Sequence, residues 1–338
     1  MNDENRKSRR DFLKTCVAGT VALGASDVLS LAAPRAHVST TSKSKVVIAR
    51  DPMLRGNGGS VDSGRMLGLL DRAMQSFYGT ADAMSSWKKL VRPGQVVGLK
   101  VNTIAGPGLS TNVTFAQAIC ERLQQSGIKP GNIIIWDRTN RELDHAGFRL
   151  SSDPNKVRVI GTDSSGYGYE DAHEKFGSVS CPLSKILTRT CDVVINLPLL
   201  KDHSGAGVTL SMKNMYGVIR NPNDCHANGC NPGVADVNSL PGIRSKVIFT
   251  IADLTTVGYE GGPGFRPDYA WKHNGVMVAR DPVAIDYTGW RIIERKRAEK
   301  GLKTLEAAGR VPRYIATAAD AQHRLGTDDP RSISVVEL

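Results

Sequence analysis

Short apolar runs alternate with longer amphipathic ones along most of the chain. Val46–Ala49, Val96–Val101, Ile133–Trp136, Val157–Ile160, Val193–Leu197 and Val247–Ile251 are largely apolar, as strands covered on both faces require. From Ser63 to about Tyr78, Met66, Leu69, Leu70, Ala73 and Phe77 recur at spacings of three and four, which predicts a helix with one apolar face. A second helix is expected from Thr114 to Ser126, closed by Gly127, and a third from Asp281 to Lys300, with Asp281 as cap and Pro282 in its first turn. The alternation predicts an α/β fold with a mostly parallel sheet in a three-layer arrangement. The segment near 201–245 breaks the pattern: it is rich in Asn, Gly and Pro and reads as a long irregular binding loop.

The first 36 residues stand apart. Ser8-Arg9-Arg10-Asp11-Phe12-Leu13-Lys14 resembles a twin-arginine export signal, and small residues at Ala32, Ala33 and Ala36 suit a cleavage site. The intervening apolar stretch is broken by Asp27, so no stable membrane span is expected. The chain therefore divides into a signal peptide (1–36), a polar linker (37–45) and one α/β domain (46–338). The resemblance implies a periplasmic or otherwise exported protein that meets the twin-arginine machinery in the folded state.

Composition narrows the ligand. The 338 residues hold 44 Lys+Arg and 33 Asp+Glu, a net charge of +11. Such a balance favours anionic partners. The basic residues are scattered, without the aromatic-interleaved patch of a nucleic-acid surface, so no nucleic acid is expected. Six cysteines in this length exclude a small disulfide scaffold.

Four clusters carry candidate chemistry. Lys100 and Asn102 share one side of a strand end and run into a turn with Gly106 and Gly108 before a helix start, which suits an anion site. The apolar run Leu197–Leu200 ends in Lys201, Asp202, His203 and Ser204, followed by Lys213 and Asn214. Two lysines and a histidine so close are hard to explain by packing, and Lys201 and His203 share a face in an extended chain. Cys225, His226 and Cys230 offer soft and borderline metal ligands, with a Cys225–Cys230 disulfide, a metal site and neither as open alternatives. Asp253 and Glu260, around a buried strand and a Gly-rich loop, suit a divalent metal or a general base.

In their order these segments resemble the domain of unknown function 362 family. The carrying residues are Val97–Asn102, Leu197–His203, Thr209–Gly217, Ile251–Asp253, Gly261–Pro263 and Asp281–Asp286. Members often stand beside or are fused to ferredoxin modules, which implies a metal ion or iron–sulfur cluster as cofactor and a redox partner protein. This chain has no CxxCxxCxxxC run of its own. The expectation is an exported metal- or cofactor-dependent enzyme, in the direction of an oxidoreductase, acting on an anionic small molecule. Lys201, His203 and Lys213 would be catalytic; Lys100, Asn102, Gly106, Gly108, Ser204 and Asn214 would bind the ligand; Cys225, His226, Cys230, Asp253 and Glu260 would hold metal. The alternative is a non-catalytic iron–sulfur or metal-binding accessory protein of a redox complex.

Overall fold

The computed structural model describes residues 43–56 and 59–338. The expected export signal and most of the expected linker lie outside the described residues. Ser44 and Lys45, assigned to that linker by their polarity, instead open the first strand. They pair with Ile333 and Ser334, and Ser44 Oγ donates to Asp281 Oδ2 at 2.6 Å. Ladder hydrogen bonds involve only the backbone, so polar side chains at a strand's start do not prevent pairing.

In chain order the strands are β1 (Ser44–Arg50), β2 (Val97–Lys100), β3 (Ile133–Asp137), β4 (Arg158–Gly161), β5 (Glu174–Phe176), β6 (Val179–Cys181), β7 (Val193–Asn196), β8 (Leu199–His203), β9 (Gly207–Thr209), β10 (Val247–Gly258), β11 (Ala270–Trp271), β12 (Gly275–Ala279) and β13 (Ile333–Glu337). The helices are α1 (Ser63–Tyr78), α2 (Ala83–Leu90), α3 (Val113–Gln125), α4 (Asn140–His145), α5 (Ser211–Asn214), α6 (Ala227–Cys230), α7 (Gly233–Ser239), α8 (Pro241–Lys246), α9 (Pro282–Glu299) and α10 (Tyr314–Ala319). The main sheet runs β13-β1-β12-β10-β7-β2-β3-β4, with β8 and β11 paired to β10 and β9 to β8. Along that path only β12 is antiparallel to its neighbours, among the described residues. The remaining pairs are parallel.

Alternation along each strand divides the core into two sides. Ile133 and Ile135 on β3 pack with Met66, Leu70, Phe115 and Ile119 of α1 and α3. Ile134 and Trp136 face the other way, toward Val234 and Val237 of α7 and Ile315 of α10. Helical layers on both faces give the three-layer arrangement. Each fully buried Leu or Ile contributes roughly 1.5–3 kcal/mol; cutting Leu70 to Ala would cost about 2–5 kcal/mol. Helix α1 keeps its sequence boundaries because Asp62 accepts the Arg65 N–H at 2.8 Å and Gly79 turns left-handed at φ 62°.

Two expectations change in detail. Strand β10 does not end near Ile251: Ala252, Leu254 and Val257 continue into the core. Asp253, read as the strand's end, sits within it, its carboxylate accepting backbone N–H groups from Asn112 at 2.6 Å and Thr255 at 2.7 Å. The segment 201–245 does line the cleft described below, but as the short elements β8, β9 and α5–α8, most of whose residues are buried. Elements of three to seven residues are too short to show a helical period.

Candidate active site

The chain steps outward from β2 to β3 to β4, then returns to β7 on the other side of β2. This reversal makes the β2–β7 boundary a topological switch point, where a crevice opens beyond the carboxyl ends of the strands. A cleft with about 140 Å³ of internal space, open to solvent, occupies that position. Lys100, Asn102, Lys201, His203, Lys213 and Asn214, all named from sequence, line it. Asp137, Thr209, Tyr216 and His226 join them.

The three lysines are buried but held differently. Lys100, 1% exposed, donates to Asp137 Oδ1 and to the Val101 carbonyl, each at 2.7 Å. Asp137 is further fixed by the N–H and Oγ1 of Thr103, so this ion pair is fully satisfied. Among the described residues Lys201, 0% exposed, reaches only Asn102 Oδ1, at 3.4 Å. Lys213, 7% exposed, lies 3.6 Å from the centre of the Tyr216 ring and 3.1 Å from His226 Nε2. Neither Lys201 nor Lys213 pairs with a carboxylate among the described residues. Burial pushes Lys201 down to about 8, with the charge of Lys213 adding to it and Asp137 and Asp202 opposing. Burial likewise pushes Lys213 down to about 8.

Hydrogen bonds fix both imidazoles. His203 Nδ1 accepts from the N–H groups of Gly205 at 3.0 Å and Ala206 at 3.1 Å. Its neutral ring therefore carries the proton on Nε2. Burial first, then Lys213, His226, Lys201 and Arg310, push His203 down to about 3, so at neutral pH it is an uncharged donor. His226 Nδ1 contacts the Pro222 carbonyl at 2.8 Å, which requires a proton there and leaves Nε2 to accept from Lys213.

A line of amides leads from the cleft into the core. Lys201 donates to Asn102, Asn102 Nδ2 to Asn214 Oδ1 at 3.0 Å, and Asn214 Nδ2 to Asn196 Oδ1 at 2.7 Å. Asn196 in turn donates to the Ser211 carbonyl at 2.8 Å. The line ends near Asp286, which accepts the N–H groups of Ser211 and Met212 and the Tyr314 hydroxyl. Burial outweighs these bonds and raises Asp286 to about 7.

Other expected residues are engaged elsewhere. Gly106 and Gly108 turn the chain at φ 67° and 96° but do not line the cleft; at the helix start that follows, the Asp253 carboxylate accepts the Asn112 N–H and Asn112 Oδ1 accepts the Phe115 N–H. Burial, against the hydrogen bonds of Thr255 and Asn112, raises Asp253 above the usual carboxylate range. Ser204 is exposed in the β8–β9 turn and bonds through its backbone to Gly262. Glu260 pairs with Arg297 and Arg310, and Arg310 reaches on to Asp202 at 2.9 Å. This network pins the Gly-rich loop to β8 and engages both Glu260 carboxylate oxygens with arginines.

The expected metal set is therefore not assembled. Among the described residues, no group of three or more His, Cys, Asp or Glu side chains is placed to hold a metal ion. Cys225 and Cys230 are both free thiols, not a disulfide, and burial raises the pKa of each. Both ring nitrogens of His226 are already engaged.

Asp137, Thr209, Tyr216, Asn196 and Asp286 are not among the site residues expected from sequence. Asp137 ends an apolar strand just as Lys100 does, so the same strand-end rule finds it. Thr209 depends on the β8–β9 register, where it stands opposite Lys201; its Oγ1 is buried and has no hydrogen-bond partner among the described residues.

Fold and site together define an α/β protein with a cationic cleft at the switch point of its sheet. The family model "Domain of unknown function (DUF362)" matches residues 97–291, more than half of the chain. The protein belongs to that family. The chain is also similar to a thylakoid-associated protein of Synechocystis sp., 26% identical over 166 residues, covering 47% of this chain and 48% of that protein. It thus spans about half the length of that curated relative. Among solved structures, the lactate racemase apoprotein from Thermoanaerobacterium thermosaccharolyticum aligns at 13% identity with a TM-score of 0.38, over 64% of this chain and 52% of that one. A protein from Thermotoga maritima aligns at 10% identity with a TM-score of 0.33, over 60% and 53%.

Proposed function

We propose that this is an exported acid–base enzyme acting on a small molecule that carries a carboxylate or phosphate. One observation carries the reading: Lys201 and Lys213 are buried in one cleft with no carboxylate partner among the described residues. An unpaired buried ammonium costs several kcal/mol, and a protein keeps two of them where an anionic ligand neutralises them. His203 contributes a neutral Nε2–H donor for negative charge developing on the ligand. Lysines brought down to about 8 exchange protons readily near neutral pH. The export part of the reading is supported by the Arg9-Arg10 segment of the sequence.

Thermal-shift and calorimetric titration against small carboxylates and phosphates tests the reading. The expected result is saturable binding that the Lys201→Met/Lys213→Met double variant loses. Binding by no anion, or binding unchanged in the double variant, would refute it. For export, an Arg9→Lys/Arg10→Lys chain is expected to stay in the cytoplasmic fraction.

A further inference from the structure

We propose that Lys201 joins a small oxo acid to the protein as a Schiff base, with Lys213 holding the acid's carboxylate; this rests on the anion-binding reading of the same cleft. Amine nucleophiles of this kind need a primary amine out of bulk water, reachable from a cavity and close to other positive charge. The three lysines of the cleft separate on those terms. Lys100 is locked as a cation by Asp137 at 2.7 Å. Lys213 rests on the Tyr216 ring face at 3.6 Å, which favours its charged form, and His226 Nε2 gives it an acceptor.

Lys201 has neither support. Its one side-chain hydrogen bond among the described residues, 3.4 Å to Asn102 Oδ1, is long beside the roughly 2.7–2.9 Å of charge-assisted bonds. The charged groups that act on it are Asp137 from β3, its neighbour Asp202 and Lys213 from α5. Asp202 is occupied by the Gly262 N–H and Arg310, and Asp137 by Lys100 and Thr103. Burial exceeds all of these, and Lys201 falls to about 8, so part of the population is neutral amine at neutral pH.

The neighbours fit the reaction. His203 stands two residues along β8 on the same face and presents Nε2–H, suited to the carbonyl oxygen. Thr209 stands opposite Lys201 with its Oγ1 unpartnered, suited to the hydroxyl that forms next. The Lys201 nitrogen lone pair adds to the carbonyl carbon, the carbon–oxygen π pair moves to oxygen, and a proton passes from nitrogen to oxygen to give a carbinolamine. The carbon–oxygen bond then breaks; with one proton taken from solvent in the open cleft, water leaves and a protonated imine remains. Amine, carbonyl compound and proton become iminium and water, with no oxidant or reductant.

The folded protein with pyruvate and cyanoborohydride, followed by peptide mapping, tests the assignment, with carbonyl-free propionate as competitor. A reduced adduct on Lys201 is expected, absent after urea unfolding and lowered at least tenfold by excess propionate. Lys201→Arg, which keeps the charge, is expected to lose the adduct. Lys213→Gln is expected to keep it but to need about tenfold more pyruvate. If calorimetry shows that pyruvate and propionate bind while Lys201 gains no adduct, or adducts spread over surface lysines, the Schiff base is wrong and the anion-binding reading stands. If neither acid binds, both fall.

Discussion

Asp286, in the first turns of α9, accepts the backbone N–H of Ser211 at 2.7 Å. Ser211 opens α5, the four-residue helix that carries Lys213 and Asn214. A helix of one turn has no stability of its own, so the carboxylate from a distant segment fixes where those side chains point. Asp286→Asn leaves one N–H facing an amide nitrogen, and a loss of about 1–3 kcal/mol is expected. Urea unfolding measures it; anion binding is expected to weaken in parallel.

The unpaired lysines set the alkaline limb of the stability profile. Their folded pKa values, about 8, lie below the unfolded value of about 10.4. Between those values the unfolded chain binds more protons, so stability rises with pH from about 8 to 10. Lys201→Met is expected to remove part of this rise and to raise stability at pH 7, while weakening anion binding. Denaturant midpoints from pH 6 to 10 check both effects.

On the acid side the sign is the same. His203 and His273 are both pushed down to about 3, chiefly by burial, whereas unfolded histidine titrates near 6.5. Below about pH 6.5 the unfolded state takes up protons that the folded rings refuse, and stability falls toward pH 3 at up to about 1.4 kcal/mol per unit for each ring. His203→Asn is expected to flatten part of that slope, since an amide oxygen can accept from Gly205 and Ala206. Midpoints between pH 4 and 7 decide it.

Two glycines at the site have no room for a side chain. A Cβ at Gly262 would lie 2.0 Å from the Asp202 carbonyl oxygen, a backbone atom that cannot swing aside. A Cβ at Gly217 would lie 2.7 Å from Lys100 Nζ and 2.8 Å from Asp137 Oδ1. Gly262→Ala is expected to cost several kcal/mol and to displace β8. Gly217→Ala is expected to part the buried ion pair with a smaller loss. Thermal melts rank the two.

Thiol accessibility separates the cysteines. Cys225 is the one described cysteine that is half-buried; Cys120, Cys181, Cys191 and Cys230 are buried. Native labelling is expected to modify Cys225 first, and non-reducing peptide maps to show no Cys225–Cys230 bridge.

Much of this was legible in the sequence, for reasons specific to the residues. Helix α1 was readable because five apolar residues recur at spacings of three and four between Ser63 and Tyr78. Lys100 was readable as a candidate because it closes an apolar strand, and Lys201, His203 and Lys213 because they crowd the residues after an apolar run. The engagements of Asp253 and Glu260 were not legible because an acid near a Gly-rich loop looks the same whether it meets a metal, a backbone N–H or an arginine. The partners that decide this, Asn112, Arg297 and Arg310, lie 141, 37 and 50 residues away. The pairing of Thr209 with Lys201, and the reach of Asp286 to α5, follow from tertiary register alone.

The contact between Lys213 and His226 has a consequence for how this cleft can diversify. His226 belongs to the rim segment that Tyr216 tethers through the Cys225 carbonyl at 2.6 Å, and the same ring supplies the acceptor for an ammonium at the cleft wall. Doorway and charge are thus built from one piece of chain. A substitution that reshapes the entrance for a bulkier guest also alters how firmly a proton is kept inside, so guest size and working pH would drift together among related proteins.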